Sequence, residues 1–177
     1  MYKFSNEPIK KLNDMKKNYT KFTIILPIII FLFSCSSEVS EREDLIHYSF
    51  PQAQAEIREV VNSIVKDAET ANIEGLKAAH LESDKFTKFG PRNFDRQDFE
   101  STNKSEEAFF GSIENFTQEI KEFKVDVFGD IAIATYYPHV SYIQDGERKM
   151  GSGRQTLVFL KTDDGWKIVH EHGTPNN

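Results

Sequence analysis

Three helical stretches followed by consecutive strand-forming stretches predict an α+β domain, its helices gathered on one side of an antiparallel sheet. Three observations carry that expectation. Ile57, Val60, Val61, Ile64, Val65 and Ala68 recur at helical spacing and form one apolar stripe. From Glu119 onward the apolar period falls to two, the period of a strand. Turn signals at Gly129-Asp130, Asp145-Gly146 and Asp163-Asp164-Gly165 then divide the rest of the chain into strands.

Pro51 opens the first helix, where its fixed φ costs nothing. A break at Thr70-Ala71-Asn72 precedes a shorter helix that turns Ile73, Leu76 and Ala79 or His80 inward. Phe86 to Pro91 reads as a short strand ending in a turn, and Asn93 to Thr102 as a loop over one rim of the sheet. Asn103-Lys104-Ser105-Glu106 has capping-box spacing and introduces a third helix carrying Phe109, Ile113 and Phe116. Phe123, Val125 and Val127 alternate with Lys124 and Asp126 in the next strand. Ile131 to Ile143 and Gln155 to Lys161 supply two more, and Trp166 opens the last. Strict alternation places Trp166, Ile168, His170 and His172 on one face of that strand, with Lys167, Val169 and Glu171 on the other.

Residues 1–35 read as a processing signal. Lys16, Lys17 and Lys21 form a basic region ahead of an apolar run from Phe22 to Phe33, 12 residues long. A bilayer span needs roughly 20 apolar residues, so the run is a secretory signal core and not a transmembrane helix. Leu32-Phe33-Ser34-Cys35 resembles a bacterial lipobox, which implies lipidation of Cys35 and a mature chain starting there. Met15-Lys16-Lys17 reads as a natural start, with 1–14 an overcalled start or a long basic extension. Ser36 after the cysteine, by the same resemblance, implies the outer membrane of a Gram-negative cell envelope. Residues 36–50 are polar and acidic and read as a tether, leaving 51–177 as the domain.

Cys35 is the only cysteine, so no disulfide can brace the domain and its stability rests on a packed core. The formal charge is −6. The leader carries six lysines and two acids, a net of +4, which leaves the body near −10. A body that acidic repels phosphate backbones, which excludes nucleic acid as a partner.

Asn72-x-Glu74-x-Leu76, Phe86-x-x-Phe89-Gly90-Pro91, Gly129-Asp130-x-Ala132-x-Ala134 and Asp163-x-Gly165-Trp166-Lys167-Ile168-Val169-His170-x-His172 stand in order over residues 52–175. Together they resemble the NTF2-like, or SnoaL-like, superfamily, and most nearly the SnoaL-like domains related to the association domain of calcium/calmodulin-dependent kinase. That resemblance implies a cone: a curved antiparallel sheet wrapped around about three helices with a pocket inside. It implies Phe86, Phe89, Tyr137, His139, Leu157, Phe159, His170 and His172 as pocket residues. Tyr137 and Leu157 fall where the kinase domain places arginines, which implies a small neutral or aromatic ligand in place of a carboxylate. A homodimer through the outer face of the sheet is also implied.

Two functions follow. The first is a membrane-anchored small-molecule-binding or dimerisation domain without catalysis, and the reading leans that way. The alternative is a lyase or isomerase of the SnoaL or ketosteroid-isomerase kind. It would use a pocket His such as His139 or His170, or Tyr136 and Tyr137 with Asp84 or Asp98 as the carboxylate. His170-x-His172 offers two imidazoles two residues apart and needs a third ligand (His139, His80 or a carboxylate) to hold an ion. No spacing supplies one, so no metal or cofactor is assigned. A carboxylate or imidazole facing into the cone beside a hydrogen-bond donor distinguishes the two functions.

Overall fold

The computed structural model describes residues 44–91 and 93–176. The signal, Cys35 and the first part of the tether lie outside the described residues. Two helices, α1 (Pro51–Glu69) and α2 (Ile73–Ala79), lead into β1 (Thr87–Phe89) and α3 (Phe99–Phe110). Four long strands follow: β2 (Glu114–Phe128), β3 (Ile131–Gln144), β4 (Glu147–Thr162) and β5 (Gly165–Pro175). They form one sheet in the order β1-β5-β4-β3-β2, antiparallel except for β1, which runs parallel to β5. This is the α+β order read from the sequence, closed by a crossover that brings β1 to the far edge.

The apolar stripe of α1 buries Ile57, Val61 and Ala68, with Val60 and Ile64 packed at its margin. Ile57 and Val61 meet Phe86, Val125, Val127, Leu157, Phe159 and Ile168 in a single core. α1 also covers the free edge of β2, where unpaired backbone groups would otherwise invite another strand. The Gln54 amide donates to the Val125 carbonyl at 3.2 Å, and the Gln118 N–H donates to Glu69 Oε1 at 3.2 Å. Phe50, at the end of the expected tether, already packs against this core.

α2 is capped by Asn72, whose side chain accepts from the Gly75 N–H and donates to Asp67 of α1. A Cβ at Gly75 would stand 2.5 Å from the Asp67 carboxylate and 2.6 Å from the Asn72 amide nitrogen, so any larger residue there would push aside the two side chains that make this cap. α3 begins earlier than the sequence predicts. Asp98 accepts from the Ser101 N–H at 2.8 Å, and Ser101 Oγ accepts from the Asp98 N–H at 2.9 Å, so the reciprocal cap sits at Asp98. Asn103 falls in the helix interior, and Ile113 and Phe116 lie beyond its end, Phe116 on β2.

Glu147 to Arg154 extends β4 well ahead of its expected start, because the Asp145-Gly146 turn pairs it at once with β3. β2 carries register shifts near Asn115 and Glu122, both at φ 53°, which bend the strand around the helices. A third shift lies between Val158 and Phe159 of β4, where Val169 of β5 is the extra residue. Among the described residues no helix is long and apolar enough to cross a membrane.

Candidate functional site: a cavity with a charged floor

The concave side of the sheet, α1, α2 and α3 line an open cavity of about 690 Å³. Side chains reach it by strand phase. On β3 the inward series is Ala132, Ala134 and Tyr136, continuing to Pro138, Val140 and Tyr142. On β4 it is Gly153, Gln155, Leu157 and Phe159. On β5 Trp166 and Ile168 face inward, and then Val169 interrupts the alternation. After the bulge Glu171 and Gly173 face inward, paired with Leu157 and Gln155.

One end of the cavity is aromatic. Phe109 and Phe110 of α3 meet Phe116 of β2, with ring centroids 6.3 and 5.3 Å away, and Tyr142 of β3 stacks on Phe116. The other end is charged. Lys88 of β1 lies opposite Glu171 in the parallel register, and its Nζ is 3.0 Å from Glu171 Oε1 and 2.7 Å from Glu106 Oε1 of α3. Gln155 donates to Glu171 Oε1 at 3.0 Å. His80, just past α2 and 6% exposed, brings Nε2 to 3.4 Å from Glu171 Oε2 and 4.0 Å from Glu106 Oε1. Its Nδ1 is buried with no hydrogen-bond partner among the described residues.

These groups tune one another. Burial pushes the Glu171 carboxyl upward, but the Lys88 charge and the hydrogen bond from His80 outweigh it and hold the group well below the usual carboxylate range. Burial pulls the Lys88 ammonium down, and the Glu171 and Glu106 charges outweigh that and hold it above its ordinary value. Burial and then the Glu171 charge push the Tyr136 phenol upward, against a hydrogen bond with Gln118, so Tyr136 stays a neutral donor. His80, Glu106 and Glu171 bring one nitrogen and two oxygens within 4.8 Å of one another, close enough to hold a cation. Lys88 Nζ, in contact with both carboxylates, already supplies that cation.

The pocket residues implied by the sequence fall in three places. Leu157 lines the cavity. Phe86 and Phe159 are fully buried in the core and do not reach it. Phe89, Tyr137, His139, His170 and His172 lie on the outer face of the sheet. Phe89 and Tyr137 are 38% and 42% exposed. Thr87 Oγ1 pairs with His170 Nδ1 at 2.8 Å, and Phe89 packs edge-on to His170 and His172 with centroids 5.9 and 5.8 Å away. The physical reason is phase. Phe86 and Phe89 are three residues apart and so occupy opposite faces, Tyr137 and His139 follow the outward series of β3, and the Val169 bulge reverses His170 and His172. Of the groups considered for acid–base work, Tyr136 lines the cavity, whereas Asp84 and Asp98 do not; His80, weighed from the sequence only as a third metal ligand, lines it too. Lys88, Glu106 and Glu171 carried no sequence signal for this site. Lys88 and Glu171 meet through a parallel pairing between strands some eighty residues apart in the chain.

Residues 57–175 match the sequence profile of the SnoaL-like domain. No curated protein sequence matches the chain. An NTF2-like superfamily protein from Salmonella enterica superimposes with a TM-score of 0.67 at 20% identity, over 72% of this chain and 93% of that one. A Streptomyces avermitilis protein of the NTF2-like family, provisionally named a dehydratase, gives 0.65 at 16% identity over 71% and 97%. A Xanthomonas campestris protein, provisionally named a calcium/calmodulin-dependent protein kinase II association domain, gives 0.60 at 15% identity over 68% and 86%. At these identities the likeness is one of fold, and the fold is the NTF2-like cone.

Proposed function

The chain belongs to the SnoaL-like domain family, and from that premise we propose that it is a small-molecule-binding domain held at the bacterial envelope by a lipid on Cys35. The observation that carries the binding reading is the cavity, about 690 Å³ with an aromatic end and a charged floor. Pockets of several hundred Å³ lined by apolar walls and a few fixed polar groups are the usual receptacles for small ligands. Packing alone does not call for two carboxylates, a lysine and a histidine beside empty space, since buried charge is costly even when paired. Native mass spectrometry of the chain purified from cells is expected to retain a small-molecule mass, and Val140→Trp, at the cavity wall, to lose it. A chain that carries no such mass and takes up no apolar reporter dye would end the binding reading.

One observation favours a second reading, acid–base chemistry. His80 lines the cavity with Nε2 toward Glu171 and its other ring nitrogen unpartnered, the arrangement of an imidazole oriented by a carboxylate. Incubating a cellular metabolite extract with the chain is expected to change a mass that His80→Asn leaves unchanged. If both proteins leave the extract unaltered, catalysis by His80 is dismissed.

The anchor rests on the sequence of the leader. Cys35→Ser is expected to move the protein from the membrane fraction to the soluble one. Ile131, Ile133 and Tyr137, all more than a third exposed on the outer face, support a homodimer through that face. Ile133→Lys is then expected to give the monomer mass in light scattering.

A further inference from the structure

The cavity floor is short of donors and rich in acceptors, and from this imbalance we infer that the ligand is an aromatic or polycyclic molecule whose polar head donates hydrogen bonds, as an amine or hydroxyl does, and is not an anion. The inference rests on the small-molecule reading and names the chemistry of the ligand's head.

The count of groups is the first argument. Glu106 and Glu171 offer four carboxylate oxygens, each able to accept two hydrogen bonds. Among the described residues, Glu171 takes them from Lys88, Gln155 and His80, and Glu106 takes its short one from Lys88 through Oε1. Acceptor capacity is therefore left over on the floor. Lys88 divides its ammonium between both carboxylates, so it is not a cation waiting for an anion.

Charge gives the second argument. With His80 neutral, the group of Lys88, Glu106, Glu171 and His80 carries one net negative charge; with His80 protonated it carries none. In neither state is it positive, so a carboxylate or phosphate head would meet repulsion or no attraction in a poorly solvated place. Arg154, the one other cation among the cavity's lining residues, sits on the outward phase of β4 and is exposed, so solvent screens its charge. Tyr136, held neutral, adds a hydroxyl but no charge.

Shape gives the third. Phe109, Phe110, Phe116 and Tyr142 present ring edges and faces at the opposite end, which suits a flat apolar body at the edge-to-face distances aromatic groups prefer. His80, nine-tenths buried with Nδ1 unpartnered, lines the same space and offers the head one more polar contact.

The test uses three probes of one shape: 2-naphthylmethylamine, 2-naphthylmethanol and 2-naphthoate, titrated calorimetrically into the full chain and into Val140→Trp and Glu106→Gln. The amine and alcohol are expected to bind about tenfold or more tightly than the carboxylate, and Val140→Trp to abolish binding. Glu106→Gln keeps Lys88 paired with Glu171 and is expected to remove most of the amine's advantage over the carboxylate. A carboxylate that binds as tightly as the amine overturns the inference while leaving the pocket intact. If no probe binds, the pocket reading falls and this inference with it. Should Glu106→Gln fail to fold, the ranking in the unaltered chain still decides.

Discussion

Lys88 Nζ sits between Glu171 Oε1 at 3.0 Å and Glu106 Oε1 at 2.7 Å, so a single ammonium from an edge strand of three residues bridges two carboxylates from β5 and α3. Both carboxylates are about five-sixths buried, their side chains 15% and 16% exposed. Removing one partner of a buried pair leaves an uncompensated charge, which costs about 3–5 kcal/mol. Lys88→Met is expected to lose about that much stability in urea titration. Lys88→Met combined with Glu106→Gln and Glu171→Gln is expected to recover most of it, because the charges go together. A single-variant loss below about 1 kcal/mol would mean that water reaches these groups freely and the floor is not a closed electrostatic unit.

The same triad sets the pH range of stability. Glu171 is held below its unfolded value of about 4.3, so its contribution is complete above that pH and is lost as pH falls toward the folded value. Lys88 is held above its unfolded value of about 10.4, so its contribution is complete below that pH and is lost as pH rises toward the folded value. Urea midpoints are expected to be flat between these limits and to fall on both sides. Glu171→Gln should flatten the acid arm; an acid arm as steep as that of the unaltered chain would assign it to other carboxylates.

Much of the fold was legible because it depends on local pattern. The stripe from Ile57 to Ala68 specified α1, and Asp145-Gly146 specified the hairpin between β3 and β4, both residues at positive φ as such turns require. The site was far less legible. Alternation from Trp166 predicted His170 and His172 inside and Glu171 outside, and one added residue, Val169, inverted all three. A bulge has no fixed residue signature, so period-two reasoning is sound only up to the first one. Lys88 was invisible for a different reason: its partner is fixed by a long-range parallel register, to which no turn or periodicity points. At α3 a competing local signal won, since Asp98 and Ser101 cap the helix reciprocally where Asn103 and Glu106 had the same spacing.

Glu122 stores backbone strain that glycine would relieve. It is exposed, sits at φ 53° in a β2 bulge, and belongs to a residue type that rarely adopts this conformation. The left-handed region costs such a residue about 1–2 kcal/mol, while glycine adds about 0.4–1 kcal/mol of freedom to the unfolded chain. Glu122→Gly is therefore expected to stabilise by about 0.5–1 kcal/mol in chemical denaturation. Asn115→Gly, at the same φ, should gain less because asparagine already tolerates that region. Equal gains at both sites would rule out side-chain strain as the source.

Trp166, the only tryptophan, reports on a second ionised contact at the opposite end of the core. Its indole N–H donates to Glu56 Oε2 at 2.8 Å, Lys161 approaches the same oxygen at 2.5 Å, and Gln52 donates to Oε1 at 3.1 Å. The hydrogen bonds from Lys161, Trp166 and Gln52 hold Glu56 down at about 2. Its contribution is accordingly complete above the unfolded value of about 4.3 and is lost as pH falls toward about 2. Trp166 emission is expected to change over that interval and to lose the change in Glu56→Gln. The indole is buried, so the two substitutions at Glu56 should differ. Glutamine keeps an oxygen for the N–H and forfeits only the attraction to Lys161, whereas alanine strands a buried donor. Thermal melts should rank Glu56→Ala below Glu56→Gln and both below the unaltered chain. Matching melts for the two variants would transfer the effect from the indole bond to the ion pair.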